Sequence, residues 1–220
     1  MLKTKLLIIG YSSFVRRRIE PSLKKNKLFE YCISSKSNKI NKNKKILYNN
    51  YEEALKKFVP EIVYISTINS LHYSYAKKIL DKGFNVIVDK PATLNIKATQ
   101  TLLKIAKKRK LLLAEATLFN YHRVFDIIKK LCNGISQVEH IQSNLNHPLV
   151  RSYKEIEKIN GDCESDMSPY AAAIIRLFTK NDFKNLNKNK NYFINSKIVK
   201  NFYITTSSQT CTYFGNFSFQ

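Results

Sequence analysis

Short apolar blocks recur along the first half of the chain, each stopped by a small or charged residue and followed by a segment with helical spacing. Leu6-Leu7-Ile8-Ile9 is unbroken and ends at Gly10, the pattern of a strand buried on both faces. Beyond the turn Tyr11-Ser12-Ser13, residues Phe14, Val15, Ile19 and Leu23 fall on one helical face, and Pro21 is expected to kink or shorten that helix. Leu28 to Ile33 predicts a second strand, Ile46 to Tyr48 a short third, Glu52 to Phe58 a helix and Ile62 to Ser66 a fourth strand. A helix over about Leu71 to Asp81 stops at Gly83. Val86-Ile87-Val88 is a fifth strand that runs into Asp89-Lys90-Pro91. Asn95 is placed to cap a helix over about Ile96 to Lys108, and Leu111 to Ala116 is a sixth strand. Strands alternating with helices of this length predict right-handed βαβ units and a parallel sheet, so residues 1–120 are expected to form a Rossmann-type dinucleotide-binding domain.

After Phe119 the rhythm changes. Tyr121 to Leu131 has helical spacing, Asn133-Gly134 is a stop, and Ser136 to Asn146 alternates as a long strand. Asp162 to Tyr170 leads into a helix reaching about Phe178, with Pro169 tolerated in the first turn of a helix starting at Asp166. Asn181 to Asn191 is expected to be a Lys/Asn loop, and Tyr192 to Gln220 to supply two or more antiparallel strands that end in an unpaired sheet edge at Phe214 to Gln220. The expected fold class is α/β: an N-terminal Rossmann parallel sheet and, over 121–220, a second, incomplete α+β domain with a mostly antiparallel sheet.

Composition narrows the function classes. At 44% hydrophobic residues the chain buries a core, and it holds no run of eighteen apolar residues. Leu6 to Ile9 is too short for a signal peptide or anchor, so a cytoplasmic protein without a membrane partner is expected. Four cysteines, Cys32, Cys132, Cys163 and Cys211, lie far apart with no Cys-x-x-Cys pair, which argues against a zinc site or a disulfide framework. The net charge of +22 would suit nucleic acid, but residues 1–120 carry 25 Lys/Arg against 8 Asp/Glu and residues 121–220 carry 13 against 8, scattered without a nucleic-acid-binding motif. Lys, Asn and Ile supply 77 of the 220 residues, the bias of an A/T-rich coding sequence, so nucleic acid is not the expected partner.

The candidate chemistry lies at the carboxyl ends of the predicted strands, where open parallel sheets bind ligands. Lys90 puts an amine where the fifth strand stops. Of a Gly-x-Gly-x-x-Gly turn only Gly10 is present, with Ser12 and Val15 in the later glycine places; Ser12, Ser13 and Phe14 still let a pyrophosphate approach the backbone at the helix N-terminus. Arg16, Arg17 and Arg18 add charge there or form a solvated face. Ser34-Ser35-Lys36 ends the second strand without the acid that would grip a ribose 2′-hydroxyl, which favours NADP over NAD.

Three segments together resemble the Gfo/Idh/MocA oxidoreductases, the glucose-fructose oxidoreductase and inositol dehydrogenase group. Val86 to Pro91 is similar to that family's strand followed by Glu-Lys-Pro, with Asp89 in the glutamate's place. Ser66-Thr67-Ile68-Asn69-Ser70-Leu71-His72 resembles its Thr-Pro-Asn-x-x-His segment, and Asp166 with Tyr170 matches its Asp-x-x-x-His/Tyr motif. The resemblance implies hydride transfer between a nicotinamide and the hydroxyl or keto carbon of a sugar or nucleotide-sugar. Tyr170 is then the proton donor or acceptor, Lys90 its electrostatic partner, and Asp166 orients a substrate hydroxyl or Lys90. It places Thr67, Asn69, His72, Asp89, Lys90 and Pro91 at the cofactor, with Pro91 after a cis peptide. Glu115, ending the sixth strand, reaches that crevice or only sits in it, and His122 and His147 carry no assigned role. Members of the family run well beyond 220 residues, so part of the second domain is expected to be missing, and a homo-oligomer would form through its sheet. The alternative is a truncated or degenerate dinucleotide-binding protein without turnover.

Overall fold

The computed structural model describes residues 2–35, 47–131, 138–147, 156, 162–179, 184–193, 197, 199–207 and 211–219. The chain forms two compact units, Met1–Ala116 and Thr117–Gln220. Lys36 and most of the Lys/Asn segment after it, Cys132, and the Asn133-Gly134 stop lie outside the described residues.

The first unit is a six-stranded parallel sheet of β1 (Thr4–Ile9), β2 (Phe29–Ser34), β3 (Leu47–Tyr48), β4 (Ile62–Ile65), β5 (Asn85–Asp89) and β6 (Leu113–Ala116), in the order β3-β2-β1-β4-β5-β6. That order belongs to dinucleotide-binding folds, and its direction reverses between β1 and β4, where a crevice opens at the strand ends. The apolar block of β1 feeds both faces of the sheet. Leu7 and Ile9 join a core with Val63, Ile65, Val86, Val88 and Leu102, whereas Leu6 and Ile8 pack on the opposite side with Val15, Ile33 and Tyr64. Each such aliphatic side chain contributes on the order of 2 kcal/mol by leaving water.

The helices begin and end where the sequence supplies caps. Asn50 Oδ1 accepts the Glu52 N–H at 2.8 Å ahead of α2 (Tyr51–Phe58), and Asn95 Oδ1 accepts the Ala98 N–H at 2.9 Å ahead of α4 (Ile96–Arg109). Between them α3 (Asn69–Asp81) stops at Gly83, whose φ of +90° lets its N–H reach Leu80 O while Phe84 N–H reaches Ile79 O. Pro21 does not break the first helix. Residues 13–25 are continuously helical, with a π-turn over Val15–Ile19 immediately before α1 (Glu20–Lys25), so the departure from regular α-helix falls just ahead of Pro21.

In the second unit a 3₁₀ turn (Leu118–Tyr121), α5 (Arg123–Leu131) and α6 (Cys163–Thr179) accompany a four-stranded sheet of β7 (His140–His147), β8 (Lys184–Tyr192), β9 (Val199–Ser207) and β10 (Thr212–Phe219). The order is β7-β10-β9-β8, antiparallel except for the parallel β7/β10 pair. Met167, Ala171 and Ile175 on α6 cover Phe202, Ile204, Tyr213 and Phe217 of the sheet.

Three segments of the second unit differ from expectation. Residues 184–192 are a strand, because pairing with β9 satisfies the backbone that a Lys/Asn-rich sequence would otherwise leave to water. The strand over 212–219 is no sheet edge: it lies between β7 and β9, leaving β7 and β8 as the edges. The last helix starts at Cys163, three residues before Asp166, and holds Pro169 in its interior. Asp162 sets that start by accepting the Ser165 N–H on Oδ1 at 2.6 Å and the Asp166 N–H on its carbonyl at 3.0 Å.

Candidate active site

The turn after β1 is shaped by Gly10. Its φ is +97°, and a Cβ there would lie 2.2 Å from the Ser66 carbonyl oxygen at the end of β4. The close approach is what brings the β1 turn against the β4 end at the switch point. There Ser12 Oγ accepts the Val15 N–H at 3.1 Å, capping the helix, and lies 2.8 Å from Ser66 Oγ. Ser13 is exposed beside it, and Arg17 folds back to the Ser13 carbonyl at 3.3 Å and hydroxyl at 3.4 Å. Arg16 lies 5.7 Å over the Tyr11 ring, so two of the three consecutive arginines flank the turn. Burial, followed by the hydrogen bond and charge of Glu20, pushes the Tyr11 phenol up to about 12. Phe14 is half-buried in the first helical turn.

At the end of β2, Ser34 is buried at 3% exposure and its carbonyl accepts the Gly10 N–H at 2.8 Å, while Ser35 is half-buried. Ser35 is therefore the more open of the two hydroxyls proposed for a 2′-phosphate.

The β5 end carries the densest polar cluster. Asp89 accepts hydrogen bonds from Tyr64 on Oδ1 and from Ser66 on Oδ2. Burial, and then the Asp89 charge and hydrogen bond, push the Tyr64 phenol well above its ordinary value. Lys90 follows, half-buried, and the Lys90–Pro91 peptide is cis, as expected. His72 is 1% exposed, its Nδ1 2.8 Å from the Pro91 carbonyl and its Nε2 3.2 Å from the Thr67 carbonyl, with the donor roles set by the tautomer. It braces the loops after β4 and β5 against each other and presents almost no surface to a ligand. Glu115 Oε2 accepts the Ala92 N–H at 2.8 Å, holding the same loop from β6. Asn69 opens α3 and lines, with Ser70, Tyr73, Leu94 and Lys97, a groove of about 360 Å³ along the first turns of α3 and α4.

Asp166 and Tyr170 lie one turn apart on α6, both half-buried, and Tyr170 packs edge-on against Phe119 with centroids 5.5 Å apart. They belong to the second unit and Lys90 to the first. His122 Nδ1 accepts the Val124 N–H at 3.2 Å, which makes it a helix cap. Cys32 and Cys163 are fully buried, and burial pushes both thiols up to about 12. Among the described residues no cluster of His, Cys, Asp and Glu could hold a metal.

The sequence reading placed Arg17 at the turn as one of three candidate arginines, but missed the bonds of Tyr64 and Ser66 to Asp89 and the loop-holding role of Glu115. Tyr64 carried a signal: a tyrosine inside a doubly buried strand needs a partner for its hydroxyl. In-register pairing of Ile65 with Val88 brings Asp89 beside Ser66.

The residues present fit a dinucleotide. Gly10 opens the turn to close backbone approach, Ser13 and Phe14 begin a helix whose first N–H groups lack helical partners, and Arg17 adds positive charge.

A family model described as the oxidoreductase family with an NAD-binding Rossmann fold, Gfo/Idh/MocA, matches residues 4–117. A trans-1,2-dihydrobenzene-1,2-diol dehydrogenase of Xenopus laevis is 25% identical over 133 residues, 59% of this chain and 40% of that protein. A dTDP-3,4-didehydro-2,6-dideoxy-alpha-D-glucose 3-reductase of Streptomyces violaceoruber is 31% identical over 84 residues, 38% of this chain and 25% of that protein. Among solved structures, the 3-ketoreductase KijD10 of Actinomadura kijaniata, in complex with TDP-benzene and NADP, superposes with a TM-score of 0.81 at 19% identity, over 99% of this chain and 70% of that one. The chain thus spans less than half the length of these curated relatives. With the strand order, the switch-point turn and the family match in agreement over its first unit, the chain belongs to the Gfo/Idh/MocA family of NAD(P)-binding oxidoreductases.

Proposed function

We propose that this protein is an NADP-linked oxidoreductase, with NAD as the alternative cofactor, acting on a hydroxyl or keto carbon of a sugar or nucleotide-linked sugar. The observation that carries the reading is the convergence of three strand ends at the switch point: the Gly10–Ser13 turn of β1, Ser66 of β4, and Asp89-Lys90 of β5. Ser34 and Ser35, in place of an acid at the end of β2, suit a 2′-phosphate. The dTDP-linked sugar reductase among the relatives, by its name, supports the substrate class.

The residues proposed to hold the cofactor are Gly10, Ser13 and Phe14 at the pyrophosphate, Ser35 at the adenine ribose, and Thr67, Asn69 and Lys90 at the nicotinamide half. A nicotinamide bound there supplies or receives the hydride. Lys90 places a positive charge at the substrate oxygen, Tyr170 donates or takes the hydroxyl proton, and Asp166 orients a neighbouring hydroxyl. Lys90→Ala and Tyr170→Phe should each lower turnover on a sugar or nucleotide-sugar panel by about 100-fold or more, with NADPH binding retained. Unchanged turnover in both variants would sink the assignment.

A second reading is dinucleotide binding without turnover. Ser12 and Val15 in the later glycine places favour it. Tight NADPH binding with no activity on any member of the panel would select it.

A further inference from the structure

The hydroxyls at the switch point form a chain whose direction is fixed at one end. An ionised carboxylate only accepts hydrogen bonds, so Tyr64 and Ser66 both donate to Asp89. Ser66 has one hydroxyl proton, and it goes to Asp89 Oδ2. In the 2.8 Å contact between Ser12 Oγ and Ser66 Oγ, Ser12 must therefore be the donor. Ser12 Oγ in turn accepts the Val15 N–H at 3.1 Å. Read outward from Asp89, the sequence is carboxylate, Ser66, Ser12, Val15 N–H, with each hydroxyl proton already committed. The chain joins the carboxyl ends of β5, β4 and β1, three neighbouring strands at the point where the strand order reverses.

We propose that Asp89 is a positioning residue for the cofactor turn: through Ser66 it turns the Ser12 hydroxyl inward as a helix cap, leaving the pyrophosphate to the backbone of Ser13 and Phe14, the Ser13 hydroxyl and Arg17. This rests on the dinucleotide reading above and assigns different tasks to two adjacent serines. Ser12, which occupies the middle glycine place of the fingerprint, shapes the turn without touching the cofactor. Ser13, exposed and contacted by Arg17, faces it. A chain of this kind strengthens when complete and leaves a buried polar atom unsatisfied when any member is removed.

The test is NADPH binding, followed by fluorescence, for the full chain and for Ser66→Ala, Ser12→Ala, the double variant, Ser13→Ala, Asp89→Asn and Asp89→Glu, with melting temperatures measured alongside. Ser66→Ala and Ser12→Ala should each weaken binding by about tenfold, the scale of one lost buried hydrogen bond. The double variant should be no weaker than either single one, because both interrupt one chain. Ser13→Ala should lower affinity with the melting temperature unchanged. Asp89→Glu, which keeps two acceptor oxygens, should retain most of the affinity that Asp89→Asn loses. Multiplying losses in the double variant would make Ser12 an independent phosphate ligand and overturn the proposal. So would wild-type affinity in Ser66→Ala, a comparison that stands even if Asp89→Asn fails to fold. An unsubstituted chain that binds neither NADPH nor NADH would instead overturn the dinucleotide reading itself, and this inference with it.

Discussion

At Gly10 two penalties coincide that Gly83 separates. Both residues have positive φ, but a Cβ on Gly10 would collide with the Ser66 backbone, whereas nothing lies within 4 Å of one on Gly83. Gly83→Ala should therefore cost only the backbone strain, about 1–2 kcal/mol. Gly10→Ala adds a clash with main chain that has no rotamer to escape into, and should cost about 3 kcal/mol or more. Urea midpoints at constant slope would check the difference, and equal losses would mean the β1 turn is free to move away from β4. Single residues were also where the sequence was least legible. Gly10 and Lys90 stood out because each ends an apolar run, so local pattern located them. Asp89, Ser66 and Ser12 act as a set only after strand register places them side by side, and register between β4 and β5 is a long-range fact that no local window contains.

Elements with strong local signals formed as read. Asn95 and Gly83 bound their helices because capping is a local matter of one side chain or one φ angle, and Asn50, not singled out in the sequence, caps α2 in the same way. β8 shows the opposite case. Its sequence, Lys-Asn-Leu-Asn-Lys-Asn-Lys-Asn-Tyr, carries no apolar alternation, and partners elsewhere decide it. Pairing with β9 supplies the backbone bonds, and Glu164 in the first turn of α6 bridges Lys188 and Lys190, two residues apart and hence on one face of the strand. Burial alone would raise the Glu164 carboxyl, but hydrogen bonds from the two lysines bring it below its ordinary value of 4.5. Because the folded value is the lower one, the ionised bridge favours the folded state, fully so above pH 4.5, and its contribution fades as pH falls through and below that value. Glu164→Gln should lower stability at neutral pH by about 1 kcal/mol, the figure for a solvent-screened pair, and the gap to wild type should close in acid and in high salt. A gap that did not shrink as pH falls below 4.5 would assign the loss to packing.

On the scale of the whole chain, the alternation of strands and helices was enough to give the first unit its class, because parallel sheets require crossovers and crossovers are long and periodic. The second unit was legible only as α+β. Its strands differ in kind: β9 and β10 alternate buried and open positions, β8 does not, and β7 finds its partner far away. That last pairing bears on how the unit assembles. β9 and β10 form a near neighbour pair, Ser207 opposite Thr212, whereas β7 at the sheet edge pairs with β10, its His140 meeting Thr212 across 72 positions of sequence. Closing the short loop costs far less chain entropy than closing the long one. During refolding, pulse-labelled amides of β9 and β10 should gain protection before those of β7, and simultaneous protection would contradict this order. On that order the second sheet would grow outward from its hairpin, with the strand earliest in the sequence the last to join.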